Sequence, residues 1–418
     1  MNVHDSEKML GVLEKKGYSQ TNSPGDADII IFNTCSIRQK AEQKFFSELG
    51  RIKSYKKRNP DLKIVVAGCI AQHEGKNIFR KAPHVDFVFG PQNIHILSDL
   101  FQKKIRHLSL DDNPCIATED LPVKREDDIK AWVTIMYGCN NFCSYCIVPY
   151  TRGQERSRPS KNIYSEISEL AEKGYKEITL LGQNVNSYQS DIDFPGLLVK
   201  LNSIEGLERI RFVTSHPKDL SGELIRAMSD LSKVCEHIHL PLQSGSSKIL
   251  RRMNRAYSYT DYIKRVTELR NRVKGISLTS DIIAGFPGET DADHMQTVNA
   301  LREIEFDGIF AFKYSLRPGT KAAEMHDHLP EDVRSERLDE ILKIQDDITQ
   351  VKNRHLEGTV QEMLMEGANN DDPGTLTGRT RTNKIVNIPS VDTPIGSIIR
   401  VEITRGRKHS LEGTIVKE

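Results

Sequence analysis

Cys139-Asn140-Asn141-Phe142-Cys143-Ser144-Tyr145-Cys146 sets three cysteines at a Cys-x3-Cys-x2-Cys spacing. The stretch follows an apolar run, Ala131 to Met136, that reads as a β-strand, so the cysteines sit on the loop at a strand's end. Three thiolates on one short loop can hold three corners of a 4Fe–4S cluster, leaving the fourth iron open to a small molecule. A structural zinc site uses four ligands, often as two Cys-x2-Cys pairs, and no fourth cysteine stands near these three. A disulfide framework is disfavoured because the chain has 7 Cys, an odd number. It opens on Met1-Asn2-Val3-His4-Asp5 with no apolar signal stretch, which points to a reducing, cytoplasmic setting.

The 418 residues are enough for two or three domains with real cores. Lys and Arg number 59 against 58 Asp and Glu, a net charge of +1, so any affinity for nucleic acid must come from local clustering. No apolar run approaches about 18 residues, which excludes a membrane-spanning helix.

Around the cysteines, residues 126–355, six strand-like runs recur, each followed by a helical pattern: Trp132 to Met136, Glu177 to Leu181, Ile210 to Thr214, His237 to Leu240, Leu278 to Ile283 and Ile309 to Tyr314. Six βα units in series predict an open (β/α)6 barrel, about three-quarters of a closed eight-stranded one, with its chemistry at the C-terminal strand ends. Polar loops follow the strands there. The cysteine spacing resembles the signature of radical S-adenosylmethionine (SAM) enzymes. SAM carries an amine, a carboxylate, a ribose and an adenine, so Gln183, Asn184, Gln243 and Ser244 are candidate amide and hydroxyl contacts. Gly285 and Gly288 would let the backbone approach closely. Glu289 can equally cap the next helix, and His216 fits a packing residue better than a metal ligand. Arg152, Arg156 and Arg158 follow the cysteines and could meet RNA phosphate or a carboxylate. No acid–base pair is assigned as catalytic, because radical chemistry belongs to the cofactor.

Residues 1–120 open on a predicted helix, Ser6 to Lys16. Apolar strands at Asp28 to Asn33, Lys63 to Ala67 and Asp86 to Phe89 then alternate with helices at Ala41 to Tyr55 and near Ile94 to Phe101. Such alternation predicts a parallel sheet covered on both faces. Cys35 follows the first strand and Cys69 the second, so both thiols belong at the same sheet edge. Cys115 and Cys235 could in principle substitute as ligands, but read more simply as free or packed thiols.

Past the predicted helix Pro330 to Arg354, residues 356–418 change to five short strands separated by Gly, Asn, Asp and Pro, the pattern of a small all-β barrel of OB type. Between Arg379 and Lys408 stand Arg379, Arg381, Lys384, Arg400, Arg405, Arg407 and Lys408 against Asp392 and Glu402. That excess could track a nucleic-acid backbone, with Arg379, Arg381 and Lys384 the leading contacts. Leu376-Thr377-Gly378-Arg379-Thr380 with Asn383-Lys384 resembles the RNA-binding TRAM domain.

An α/β domain with cysteines at its strand ends, a radical SAM barrel and a TRAM-like barrel, in this order, resemble the methylthiotransferase family over essentially the whole chain. In that family a first strand ends in a Gly-Cys-Gln-Met-Asn-like segment, and three cysteines bind an auxiliary 4Fe–4S cluster. Met1 to Lys8 looks like the continuation of that segment. The expectation is therefore a truncated N-terminal domain, either from a start placed too far downstream or with an incomplete auxiliary site. Cys35 and Cys69 match the second and third ligands.

The run Cys139 to Gly153, with Tyr314 to Thr320 and Thr118 to Pro122, is most similar to the branch acting on N6-isopentenyladenosine in tRNA, next to the anticodon on its 3′ side. The threonylcarbamoyladenosine branch is the competitor. The resemblance implies two 4Fe–4S clusters and SAM, transfer of a methylthio group to C2 of the adenine, an electron donor such as flavodoxin or ferredoxin, and a monomer. One SAM would methylate sulfur at the auxiliary cluster, and a second, split at Cys139, Cys143 and Cys146, would yield the 5′-deoxyadenosyl radical. An RNA-binding iron–sulfur protein that does not methylthiolate is the reading from another class.

Overall fold

The computed structural model describes residues 1–34, 39–100, 106–369, 372, 374–390 and 393–416, without the side chains of 39–41. It divides into two compact units. The first comprises Met1–Asp127, Thr134–Phe142 and Cys146–Pro159; the second comprises Asp128–Val133, Cys143–Tyr145 and Ser160–Glu418.

The first unit is built on a four-stranded sheet of β1 (Ile29–Thr34), β2 (Lys63–Gly68), β3 (Phe87–Phe89) and β4 (His107–Ser109), in that order and parallel throughout. Side chains alternate across it. Ile64, Val66 and Val88 join one core with Phe45, Leu49 and Ile78, while Val65, Ala67, Phe87 and Phe89 join another with Met9, Val12, Leu13, Leu97 and Leu100. Burial on both faces explains why these strands are continuous apolar runs.

Several elements differ from expectation. The first helix runs Asn2–Glu14, starting four residues earlier than its apolar positions suggest, because His4, Asp5, Glu7 and Lys8 are themselves buried. The helix expected over 41–55 is two, Gln39–Arg51 and Lys53–Arg58, and the one near 94–101 is a 3-10 turn, Ile94–Ile96, followed by a single turn, Leu97–Leu100. Strand β4 was not expected; at three residues it is too short for periodicity to mark.

In the second unit β5 (Lys130–Thr134), β8 (Glu177–Leu181) and β9 (Arg209–Phe212) form one three-stranded sheet, and β10 (His237–His239), β11 (Ser277–Ala284) and β12 (Gly308–Lys313) a second. An isolated parallel bridge, Ile210 to Val234, lies between the two in sequence. The expected first strand over 132–136 is in fact two pieces. β5 stops at Thr134, and β6 (Met136–Tyr137), in the first unit, pairs antiparallel with β7 (Arg156–Ser157). Serine and threonine at the strand ends start the helices. Ser221 caps Gly222–Asp230, Ser246 caps Ser247–Arg252, and Thr290 forms a capping box with Asp293 ahead of Asp291–Ile304.

The helix Glu331–Arg354 leads to a closed barrel of β13 (Val360–Ala368), β14 (Thr375–Thr380), β15 (Ile385–Pro389), β16 (Ile398–Gly406) and β17 (Leu411–Ile415), with spatial order 13-14-15-17-16. Its core is Met363, Met365, Val386, Ile388, Val401, Ile403 and Leu411. Gly378 on β14 lies so close to β13 that a Cβ there would stand 2.2 Å from the Leu364 carbonyl oxygen. Gly378→Ala is therefore expected to cost about 1–3 kcal/mol by overpacking. Amide hydrogen exchange along β13 and β14 should quicken at least about fivefold while that of β8 and β9 stays unchanged.

Candidate functional site

The cysteine loop leaves β6 with Cys139 and Cys143 buried and Cys146 half-buried. The Cys139 amide donates to Gly153 O at 3.1 Å, and the Asn141 amide points at Cys139 Sγ, 3.4 Å away. Ser144 is tied through its amide to Met253 O (2.9 Å), through its hydroxyl to Arg252 O (2.8 Å) and through its carbonyl to the Ala322 amide (2.7 Å). Arg255, which sequence reasoning missed, is buried with its Nη1 3.4 Å from Cys143 Sγ. None of the described cysteines is disulfide-bonded.

These residues fit a cluster of the expected kind. Thiols with N–H donors aimed at sulfur suit an anionic iron–sulfur group, whose charge a buried guanidinium can balance. The only sequence signal for Arg255 was a cation a few residues past the 241–246 loop, which nothing distinguished from its neighbours Arg251 and Arg252.

The candidate SAM contacts divide. Asn184 is buried and donates to Asp219 Oδ2 at 2.7 Å, while its Oδ1 has no partner among the described residues; neither has Ser215 Oγ after β9. Two orphaned polar atoms at neighbouring strand ends suit a ligand's amine and hydroxyl groups. Gln183 is half-buried beside them in sequence. Gln243 is buried at φ 72°, and Thr214, a β-branched residue, stands at φ 68° at the end of β9. Such strain clusters at ligand sites.

Ser244, by contrast, is used internally. It lies 3.3 Å from the Thr297 hydroxyl and accepts from the Ser246 amide at 3.2 Å. Gly285 and Gly288 have φ of 69° and 76°, but the groups crowding their Cα atoms are Arg334 and Asp327 of this chain rather than open space for a ligand. Glu289 is a buried partner of Arg337 (2.7 Å) and of the Gly285 amide (3.0 Å), while Thr290 caps the helix.

The residues proposed for RNA need correction. Arg152 is buried, donating to Asp5 Oδ2 at 2.8 Å and Asn2 Oδ1 at 2.7 Å and bonding the Cys69 thiol. Arg158 is buried against Thr134 O at 2.7 Å. Arg156 pairs in bidentate fashion with Asp112. Arg381 grips Glu236 and the carbonyls of Ser232 and Val234, and Lys384 is held by Asp307 and Asn353. Arg379 reaches Asn383 and Glu366. Arg400 and Arg405 are exposed and make no ion pair among the described residues, whereas Arg407 and Lys408 pair with Glu412 and Asp346.

Cys69 is buried at the end of β2, and the β1–β2 register pairs Thr34 with Gly68, the residues just before Cys35 and Cys69. Cys35 itself lies outside the described residues. Burial pushes the Cys235 thiol up to about 11, which keeps it a protonated, packed thiol, and Cys115 is exposed.

The βα repeat and three-cysteine loop define a radical SAM enzyme. Residues 133–301 match the Radical SAM superfamily, 1–90 match Uncharacterized protein family UPF0004, and 354–416 match the TRAM domain. The chain belongs to the tRNA-2-methylthio-N(6)-dimethylallyladenosine synthase family. It is 56% identical to the synthase of that name from Thermodesulfovibrio yellowstonii over 418 residues, all of this chain and 96% of the relative. The synthase from Carboxydothermus hydrogenoformans is 46% identical, over all of this chain and 97% of that one. Among solved structures, the radical SAM methyltransferase TsrM from Kitasatospora setae has the same fold at a TM-score of 0.59, with 15% identity over 76% of this chain and 73% of that one.

His216 supports the loop after β9 as a neutral ring: its Nδ1 accepts from the Lys218 amide at 3.2 Å. Burial, then Arg255 and Lys218, lowers its pKa to about 2, and burial with Arg211 lowers that of His237 to about 3. In the unfolded chain each takes a proton near 6.5, so the unfolded state binds more protons below that pH and stability is lost as pH falls. The expected slope is about 1.4 kcal/mol per pH unit for each histidine. His216→Asn, which keeps an acceptor, should remove one such increment from the urea midpoints measured between pH 7 and pH 5.

Proposed function

We propose that this protein transfers a methylthio group to C2 of N6-isopentenyladenosine in tRNA, next to the anticodon on its 3′ side. The observation that carries this reading is the 56% identity to a tRNA-2-methylthio-N(6)-dimethylallyladenosine synthase along the whole chain. The strand-end loops supply the support from within the molecule. Cys139, Cys143 and Cys146 hold the radical SAM cluster. Asn184, through its unpartnered Oδ1, and Gln183 and Gln243 at the neighbouring strand ends orient SAM. An aromatic C–H requires a radical that no side chain supplies, and the cluster with SAM, when bound, provides it. Ser244, Gly285 and Gly288 shape the loops without touching SAM.

Cys35 and Cys69 serve the auxiliary cluster, with Arg152 donating to the Cys69 sulfur. This reading is supported by the strand register and by the burial of a guanidinium that Asp5 only partly shares. Electrons come from a small donor such as flavodoxin or ferredoxin, and the protein works as a cytoplasmic monomer. Among the described residues no helix is long and apolar enough to cross a membrane.

RNA contact falls to the exposed cations of β16, Arg400 and Arg405, in place of the internally paired Arg379, Arg381 and Lys384. Replacing Arg400 and Arg405 by Ala should weaken tRNA binding evenly across sequences and reduce the salt slope by about 1 for each charge. Anaerobic assay with tRNAs carrying isopentenyladenosine or threonylcarbamoyladenosine tests the reaction itself. Methylthiolation of the first is expected, abolished by Cys143→Ala. Reaction of the second alone overturns the substrate, and binding without any methylthiolation overturns the activity. Reconstituted protein should carry about eight irons with both clusters and about four with one.

A further inference from the structure

We propose that Arg255 is a positioning residue for the radical SAM cluster: its guanidinium donates to the Cys143 sulfur and raises the potential at which the cluster accepts an electron. This rests on the assignment of that cluster to Cys139, Cys143 and Cys146.

The case starts from a charge with no counter-ion among the described residues. Arginine stays ionised in proteins, and burying its charge is costly unless an anion shares the site. Arg255 is buried, yet its partners are Cys143 Sγ (Nη1, 3.4 Å), Tyr145 Oη (Nη1, 3.5 Å), Tyr257 Oη (Nε, 3.0 Å) and Pro241 O (Nη2, 3.2 Å). None is a carboxylate. Tyr257 is a neutral phenol, its hydroxyl donating to the carbonyls of Pro241 and Leu242 at 3.0 Å each. Of the four partners, only the sulfur becomes anionic at neutral pH, once it binds iron.

The same segment also fixes the loop. Arg252 O and Met253 O hold Ser144, the residue after Cys143, and Asn254 turns through φ 57° to bring Arg255 to the sulfur. Position and charge therefore come from one stretch. An N–H donor strengthens as electron density on the sulfur increases, so it favours the reduced cluster over the oxidised one.

The test is an anaerobic redox titration of the reconstituted protein with dithionite, following the EPR signal of the one-electron-reduced cluster. Arg255→Gln should retain iron but show an about tenfold smaller reduced-to-oxidised ratio at a fixed potential, which is 59 mV for a one-electron couple. Arg255→Lys, which keeps the charge without the planar fork, should fall between Gln and the parent. If Arg255→Gln does not hold iron, Tyr257→Phe decides, since it keeps the guanidinium and frees its Nε; a smaller shift in the same direction supports the proposal. A native potential at full iron in the variants overturns it, as does an unchanged potential with weakened SAM binding, which would make SAM the anion. Cys143→Ala is a separate reading: it should lose about four irons relative to the parent, and if the parent's full iron content persists, the cluster assignment fails rather than the role of Arg255.

Discussion

The loop that carries three thiols is fastened at one residue. Ser144 spends its amide, hydroxyl and carbonyl on Met253 O, Arg252 O and the Ala322 amide. A cluster with an open iron needs its ligands presented at a set spacing, and a loop free to rearrange would lose that precision. The fastening points have their own supports. Met253 and Arg252 end a helix whose cap, Ser246, also donates to Asp293 at 2.7 Å. Asp293 in turn closes the capping box of the helix Asp291–Ile304 and accepts from Lys248 at 2.8 Å. The serines after β10 thus act on the cysteine loop through two helix starts rather than through a ligand.

That network explains which features were legible in sequence. The cysteine loop, the strands and the long helices could be read directly, because thiol spacing and apolar periodicity are local signals. The role of Ser244 could not, because a serine in a polar loop looks the same whether it faces a ligand or a threonine 53 positions away. Arg255 was hidden for the same reason: its significance lies in a sulfur 112 positions earlier. Short strands such as β4 fall below the length at which a period can be recognised.

Charge was the least legible property. Seven bases between Arg379 and Lys408 suggest a nucleic-acid surface, yet the turn from β14 to β15 spends its cations within the chain. Arg381 takes Glu236, and Lys384 takes Asp307 at 3.1 Å. The partners stand just before β10 and β12, more than 70 positions away, so composition could not reveal them. On β9, Arg209 and Arg211 point to one face and donate to the carbonyls of Arg379, Thr380 and Arg381, with Glu177 and Glu362 balancing their charge. The same turn is therefore gripped from both its side chains and its backbone.

This division of labour bears on how the C-terminal barrel can meet RNA. A cation already satisfied by a carboxylate gives little to a phosphate, because binding must first break a pair that is partly desolvated. Arg381, bidentate to Glu236 with two further carbonyl contacts, is costly to redirect. Arg400 and Arg405 carry no such cost, and they project from one strand of a closed barrel whose register is set by pairing on both sides. A rigid strand bearing unspent charge loses little entropy on meeting a phosphate backbone, whereas the β14–β15 turn would have to release the barrel to do so. The sequence concentrates positive charge in one region, and the fold assigns most of it to cohesion and leaves Arg400 and Arg405 exposed.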